Sequence, residues 1–194
     1  MQIVLYPDPI LRKPTSRVER FDEDLRSLAR EMLETMYRAR GVGLAAPQVG
    51  DGRRLLVLNP TGDPKQREAE RVLVNVRVLR RKGEVWGEEG CLSFPRIYAE
   101  IARAETVLFE SADLDGKAAK EEATGFLARI VQHEGDHLDG VLFVDRMSPG
   151  DRIRVKPLLR GLEERFKEGR GRIEPAEAEP EPVAGEARGA KPAL

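Results

Sequence analysis

Gln132-His133-Glu134-Gly135-Asp136-His137 holds both histidines of this 194-residue chain, and the reading of this stretch decides around what the fold must be built. Residues i and i+4 share one face of a helix, so two imidazoles spaced this way can meet on one ion. Glu134, next along the helix, can reach a water beside that ion. Two neutral nitrogen ligands plus a proton-accepting carboxylate make the HExxH pattern of metal hydrolases. The bland reading is a pair of surface histidines beside an acidic residue. Against it, Phe126 and Ile130 lie on the stripe that carries His133 and His137, which turns the pair inward, where buried imidazoles need partners. The spacing predicts a helix over 124–138, ending before Gly140. Gly135 inside it costs about 1 kcal/mol relative to Ala, a sign of close packing or of tolerance.

A catalytic metal site takes a third protein ligand and keeps one position open. The single cysteine is Cys91, within Glu89-Gly90-Cys91-Leu92-Ser93, and a thiolate binds divalent transition metals strongly. A lone cysteine is more often a small buried hydrophobe; beside HExxH it becomes the leading candidate. Glu163 and Glu164 compete with it, at a separation that a thermolysin-like zinc peptidase uses. A structural metal site in a binding module would need a fourth protein ligand, and no further Cys or His exists to supply one.

Outward from this core, Leu25, Leu28, Ala29, Met32, Leu33 and Met36 recur at helical spacing and predict a helix over 25–40. Asp22 caps it and Gly41 ends it in a left-handed turn. Gly41-Val42-Gly43-Leu44-Ala45-Ala46-Pro47-Gln48 has no amphipathic period. Residues 54–59, 72–78 and 106–114 read as Val- and Leu-rich strands, with a polar loop over 61–71. Pro149-Gly150 reads as a turn. A third helix over 153–170 follows, with Leu158, Leu162 and Phe166 on its apolar stripe. From Arg172 the chain becomes rich in Pro, Ala and Glu, a composition that cannot bury enough apolar surface to order itself. The expectation is one α+β domain over 1–171, with mixed or antiparallel strands around a central metal-binding helix, and a disordered acidic tail over 172–194.

The 33 basic and 34 acidic side chains leave a net charge of −1, which argues against a dedicated DNA binder. No run of about 18 apolar residues exists to span a membrane. The first residues carry neither a basic n-region nor a clean apolar h-region, so a cytoplasmic protein is expected.

Three stretches in order, Gly41 to Gln48, Glu89 to Ser93 and Gln132 to His137, resemble the motifs of the peptide deformylase family, and Leu138-Asp139-Gly140-Val141-Leu142-Phe143 resembles the segment after the third. The similarity spans roughly residues 1–165. Asn75-Val76 departs from the Asn-Pro of many members, and Gly135 stands where a larger apolar residue is common. The resemblance implies a metal-dependent hydrolase of protein biosynthesis that removes the formyl group from the N-terminal formyl-methionine of nascent chains and releases formate. It implies Cys91, His133 and His137 as metal ligands, with a deprotonated water on the metal as the attacking group. Glu134 would serve as general base and then acid, and the Gln48 amide and Leu92 N–H would stabilise the oxyanion. Backbone around Val42, Gly43 and Gly90 would pair with the substrate, and Ile130 is either a wall of the methionine pocket or plain core. Thiolate and imidazole together suit zinc, whereas the resemblance implies ferrous iron, replaceable by zinc or another divalent ion.

Between residues 152 and 172, eight basic side chains face three acidic ones, a net +5. Such a helix could touch ribosomal RNA through phosphate attraction, or simply present a solvated face with internal Glu–Arg pairs.

Overall fold

The computed structural model describes residues 1–178. In chain order these form β1 (Ile3–Val4), α1 (Glu23–Arg38), β2 (Gly43–Ala45), β3 (Leu55–Leu58), β4 (Arg71–Lys82), β5 (Val85–Cys91), β6 (Phe94–Arg103), β7 (Thr106–Ala112), β8 (Ala118–Thr124), α2 (Gly125–Leu138), α3 (Pro149–Lys167) and β9 (Arg172–Ile173). An antiparallel sheet runs β2-β3-β4-β7-β8, β5 and β6 form a separate two-stranded ribbon, and β1 pairs with β9. This is the expected α+β arrangement. None of the helices among the described residues is long and apolar enough to cross a membrane.

The central helix is α2, and every residue from Ala128 to Leu138 is buried. Its Ile130, Val131 and Leu138 pack with Leu56, Leu58, Val107 and Phe109 of the sheet. The larger core gathers α1, the β1 strand and the ends of the ribbon, with Leu25, Met32, Met36, Cys91, Leu92, Phe94 and Phe143 among its members. Burial of whole aliphatic side chains at roughly 1.5–3 kcal/mol each drives this packing.

Asp22 caps α1 as expected, accepting from the Leu25 N–H at 3.2 Å. The helix ends differently: Arg40, with φ +52°, takes the left-handed conformation instead of Gly41. Gly41 is small for another reason, since a Cβ there would lie 3.0 Å from Leu92 Cδ1. Nothing lies within 4 Å of a Cβ built on Gly135, so that glycine is tolerated and does not mark close packing.

Pro149 and Gly150 do not form a turn but open α3. Ser148 accepts from the Asp151 N–H at 3.1 Å, and proline suits the first helical position because its missing N–H would find no partner there. The buried stripe of α3 is Val155 and Leu162; Leu162 faces inward as expected, whereas Leu158 is half exposed and Phe166 only partly buried. Residues 172–178, expected to begin the tail, belong to the packed structure. Arg172 and Ile173 pair with Val4 and Ile3, and Ile173 and Ala178 are buried. Two apolar side chains thus anchor a segment whose composition reads as polar. The rest of the expected tail lies outside the described residues.

Candidate metal centre

Two elements converge on one point. The end of β5 brings Cys91, and successive turns of α2 bring His133 and His137. Their ligand atoms all lie within 4.8 Å of one another and all three side chains are buried. Cys91 Sγ stands 3.3 Å from His137 Nε2. The His133 Nδ1–H donates to Glu89 Oε2 at 2.8 Å, which leaves the lone pair of Nε2 for a ligand, the usual way a carboxylate orients a metal-binding imidazole. His133 Nε2 and both oxygens of Glu134 are buried without a hydrogen-bond partner. Orphaned polar atoms of this kind are costly, and a thiolate with two imidazoles is a donor set that a divalent cation satisfies. The residues therefore fit a divalent metal ion.

The field agrees with that fit. Burial alone would pull His133 down, yet Cys91 and Glu89 hold it up, drawing positive charge to the ring where a cation at Nε2 would stand in for a proton. Burial and the charge on His133 push His137 down, to about 3. Positive charge is attracted to the Cys91–Glu89 side of the site, and the second ring is kept neutral. Burial pushes the Glu134 carboxyl up, to about 7, the range in which a group can both take and return a proton near neutrality.

Gln48 is completely buried at the opposite side. Its Oε1 accepts from the Ala45 N–H at 2.8 Å, so its NH2 group faces the site. There Nε2 lies 3.5 Å from Cys91 Sγ and 3.4 Å from Ser93 Oγ. Gly43 gives Glu134 its place. Gly90 lies under the ring of Tyr98, 2.5 Å from Cε1 for a Cβ placed there. Val42 and Leu92 are buried beside these residues, and the Val42 carbonyl accepts from the Asn59 N–H. Ile130 is wholly buried among the sheet side chains of the second apolar cluster. Glu163 is elsewhere, accepting from the Tyr6 hydroxyl at 3.2 Å, and among the described residues only Cys91, His133 and His137 form a metal-binding group.

A second tier of charges was not legible in the sequence. Glu89 is buried, as is Arg103, which grips it through two hydrogen bonds of 2.8 and 2.9 Å. Arg103 also donates to Asp136 at 2.5 Å, as does Arg146. Burial would raise the Glu89 carboxyl, but Arg103 and His133 hold it well below the usual carboxylate range. Asp136 is likewise lowered against its own burial, by Arg146 and Arg103. Charged residues read as surface in a sequence; the only signal was the odd density of Arg and Glu around the two motifs.

The sequence profile of the polypeptide deformylase family matches residues 1–152. The chain is 44% identical over 170 residues to a peptide deformylase of Alkalilimnicola ehrlichii, covering 88% of this chain and 93% of the relative. It is 44% identical over 180 residues to the chloroplastic peptide deformylase 1B of rice, covering 92% of this chain and 66% of that one. Among solved structures, an Arabidopsis thaliana peptide deformylase 1B variant superposes with a TM-score of 0.85 at 43% identity, over 90% of this chain and 96% of the other. A Plasmodium falciparum peptide deformylase gives 0.84 at 38% identity, over 86% and 97%.

Proposed function

The chain belongs to the peptide deformylase family, and from that premise we propose that it hydrolyses the formamide at the N-terminus of formyl-methionyl polypeptides, releasing formate and a free amine. One observation carries the reading: Glu134, next to His133 on α2, has a buried, unpartnered carboxylate, while Cys91, His133 and His137 cluster and the Gln48 amide lies 3.5 Å from Cys91 Sγ.

Cys91, His133 and His137 would hold the divalent ion, ferrous iron by family resemblance and zinc as its substitute. When bound, such an ion supplies Lewis acidity, polarising the formyl oxygen and making a water easier to deprotonate. Glu134 takes the proton from the attacking water and returns it to the amine nitrogen as the C–N bond breaks. The Gln48 NH2 and the Leu92 N–H donate to the formyl oxygen as it gains charge, an interaction worth about 3–4 kcal/mol of barrier per donor. Only Gln48 has its orientation set by a hydrogen bond from the adjoining strand, which supports assigning it the larger share. The extended peptide lies along backbone of Val42, Gly43 and Gly90; β2 ends its sheet and β5 pairs only with β6, so each has an edge that a strand can join. Ile130 walls the methionine pocket. The protein works in the cytoplasm on nascent chains, and the basic face of α3 meets ribosomal RNA.

The test is formate release from formyl-Met-Ala-Ser by protein loaded anaerobically with ferrous iron. Turnover that is lost in Glu134→Ala and absent with the acetylated peptide supports the reading. A folded, iron-loaded protein without turnover overturns it. For the ribosome, Val155 and Leu162 tie α3 into the core, so deleting the helix would test folding instead. Replacing exposed Lys156, Arg160 and Lys167 by Glu should weaken ribosome co-sedimentation in a salt-dependent way; unchanged sedimentation removes that partner.

A further inference from the structure

Arg129 has no part in the chemistry above, yet it is buried on α2 and is 7% exposed. Its guanidinium donates to four acceptors: Val85 O at 2.9 Å, Gly87 O at 3.3 Å, Ile101 O at 3.0 Å and Glu89 Oε1 at 2.8 Å. Three of the four belong to β5, the strand that ends in Cys91, and the other to its partner β6. The site is shaped for this one side chain. A Cβ on Gly87 would fall 2.9 Å from Arg129 Nη2 and 3.1 Å from Cζ, so Gly87 is the gap through which the guanidinium reaches the strand.

The geometry matters because the metal ligands come from two bodies. Cys91 rides on the ribbon; His133 and His137 ride on α2. Among the described residues no backbone hydrogen bond joins α2 to the ribbon. Their relative position is held by side chains: Glu89 to His133, Arg103 to Asp136, and Arg129 to the ribbon's own carbonyls. Arg103 and Glu89 fix charges within this tier. Arg129 grips the main chain of both ribbon strands from the helix, two turns along α2 from His137, while Gln132 holds only Ala104, one residue past β6.

We propose that Arg129 is a positioning residue, a clasp that sets the spacing between the cysteine ligand and the histidine pair and thereby the affinity and geometry of the metal centre. This rests on the reading of Cys91, His133 and His137 as ligands. Carbonyl acceptors cannot be satisfied by a lysine in the same forked geometry, so the clasp is specific to arginine. Loss of a group supporting metal ligands typically lowers affinity about 10- to 100-fold.

The experiment measures Co2+ affinity by chelator competition and the thiolate-to-cobalt charge-transfer band, in wild type, Arg129→Ala, Arg129→Lys and Arg54→Ala. Arg54 is the control: it also ties α2 to a strand, through Leu138 O and Val76 O, but at the opposite end of the helix from Arg129 and without touching the ribbon. The expected result is affinity about 10- to 100-fold weaker and an altered band in Arg129→Ala, with partial recovery in Arg129→Lys. Arg54→Ala should lower the melting temperature with affinity within about twofold of wild type. Equal affinity and an unchanged band in folded Arg129→Ala overturn the clasp. If that variant does not fold, Gly87→Ala keeps the arginine but displaces it, and wild-type affinity there overturns the proposal equally. A wild type without the charge-transfer band would fail the ligand assignment itself, a separate result.

Discussion

Gly43 and Glu134 stand so close that a Cβ on the glycine would lie 2.5 Å from Glu134 Oε1 and 2.9 Å from Cδ. The motif glycine is therefore a space reserved for the carboxylate to which we assign the proton transfer. Gly43→Ala should push Glu134 off its position and lower kcat/KM by about 10²-fold, the cost of a misplacement near 1 Å. Metal content should stay unchanged, because neither residue is a ligand. Steady-state kinetics with metal analysis check this; activity within threefold of wild type would mean that the carboxylate tolerates the shift.

Glu89 is the hub of the charges behind the metal centre, joined to Arg103, Arg129 and His133. Glu89→Gln keeps the shape but leaves two buried guanidinium groups short of a counter-charge. Breaking a buried pair this way costs about 3–5 kcal/mol, to be read from urea unfolding. A loss below 1 kcal/mol would show that Asp136 compensates through Arg103.

The third ligand can be assigned by metal analysis after gel filtration. Cys91→Ala should lose the ion, while Glu163→Gln, whose partner is Tyr6, should keep it. The opposite pattern would restore the peptidase arrangement.

Asp145 links the start of the chain to the segment after α2. Burial opposes its ionisation, but hydrogen bonds from Arg12 and the Leu142 N–H outweigh that and lower its pKa. A carboxylate lowered in the folded state stabilises it above the ordinary carboxylate pKa of about 3.9, and the contribution is lost as pH falls through the folded value. Melting temperatures of wild type and Arg12→Gln should thus differ at pH 7 and converge as the pH falls below the ordinary carboxylate value and through the lower folded one. A gap independent of pH would assign the effect of Arg12 to packing.

Ile173 is 3% exposed in the β1–β9 pair. Ile173→Ala should cost about 2–4 kcal/mol in urea unfolding, and a change near zero would make the pair decorative.

Helices α1 and α2 were legible because apolar side chains recur on one face over several turns. The ribbon was not. Val85-Trp86-Gly87-Glu88-Glu89-Gly90-Cys91 contains two glycines and two glutamates, residues depleted from strands, because its positions serve the site. Gly87 admits Arg129, Glu89 orients His133 and Gly90 passes beneath Tyr98. β8 was hidden for another reason: Ala118 to Thr124 is rich in Ala, Lys and Glu, which favour helix, and such charges are common on a strand at a sheet edge. Cys91, His133 and His137 stood out as candidate ligands by residue chemistry, since Cys and His are scarce in this chain. The arginines behind them were invisible, because only the folded chain buries them.

The shortness of β2 has a consequence for any polypeptide laid against it. Three residues of strand, at roughly 3.3 Å each, offer a grip about 10 Å long before Ala46–Val49 turns the chain into a 3-10 helix. Beyond that length a chain laid against β2 leaves this edge. A protein of any length then offers this edge no more main chain to grip than a tripeptide does.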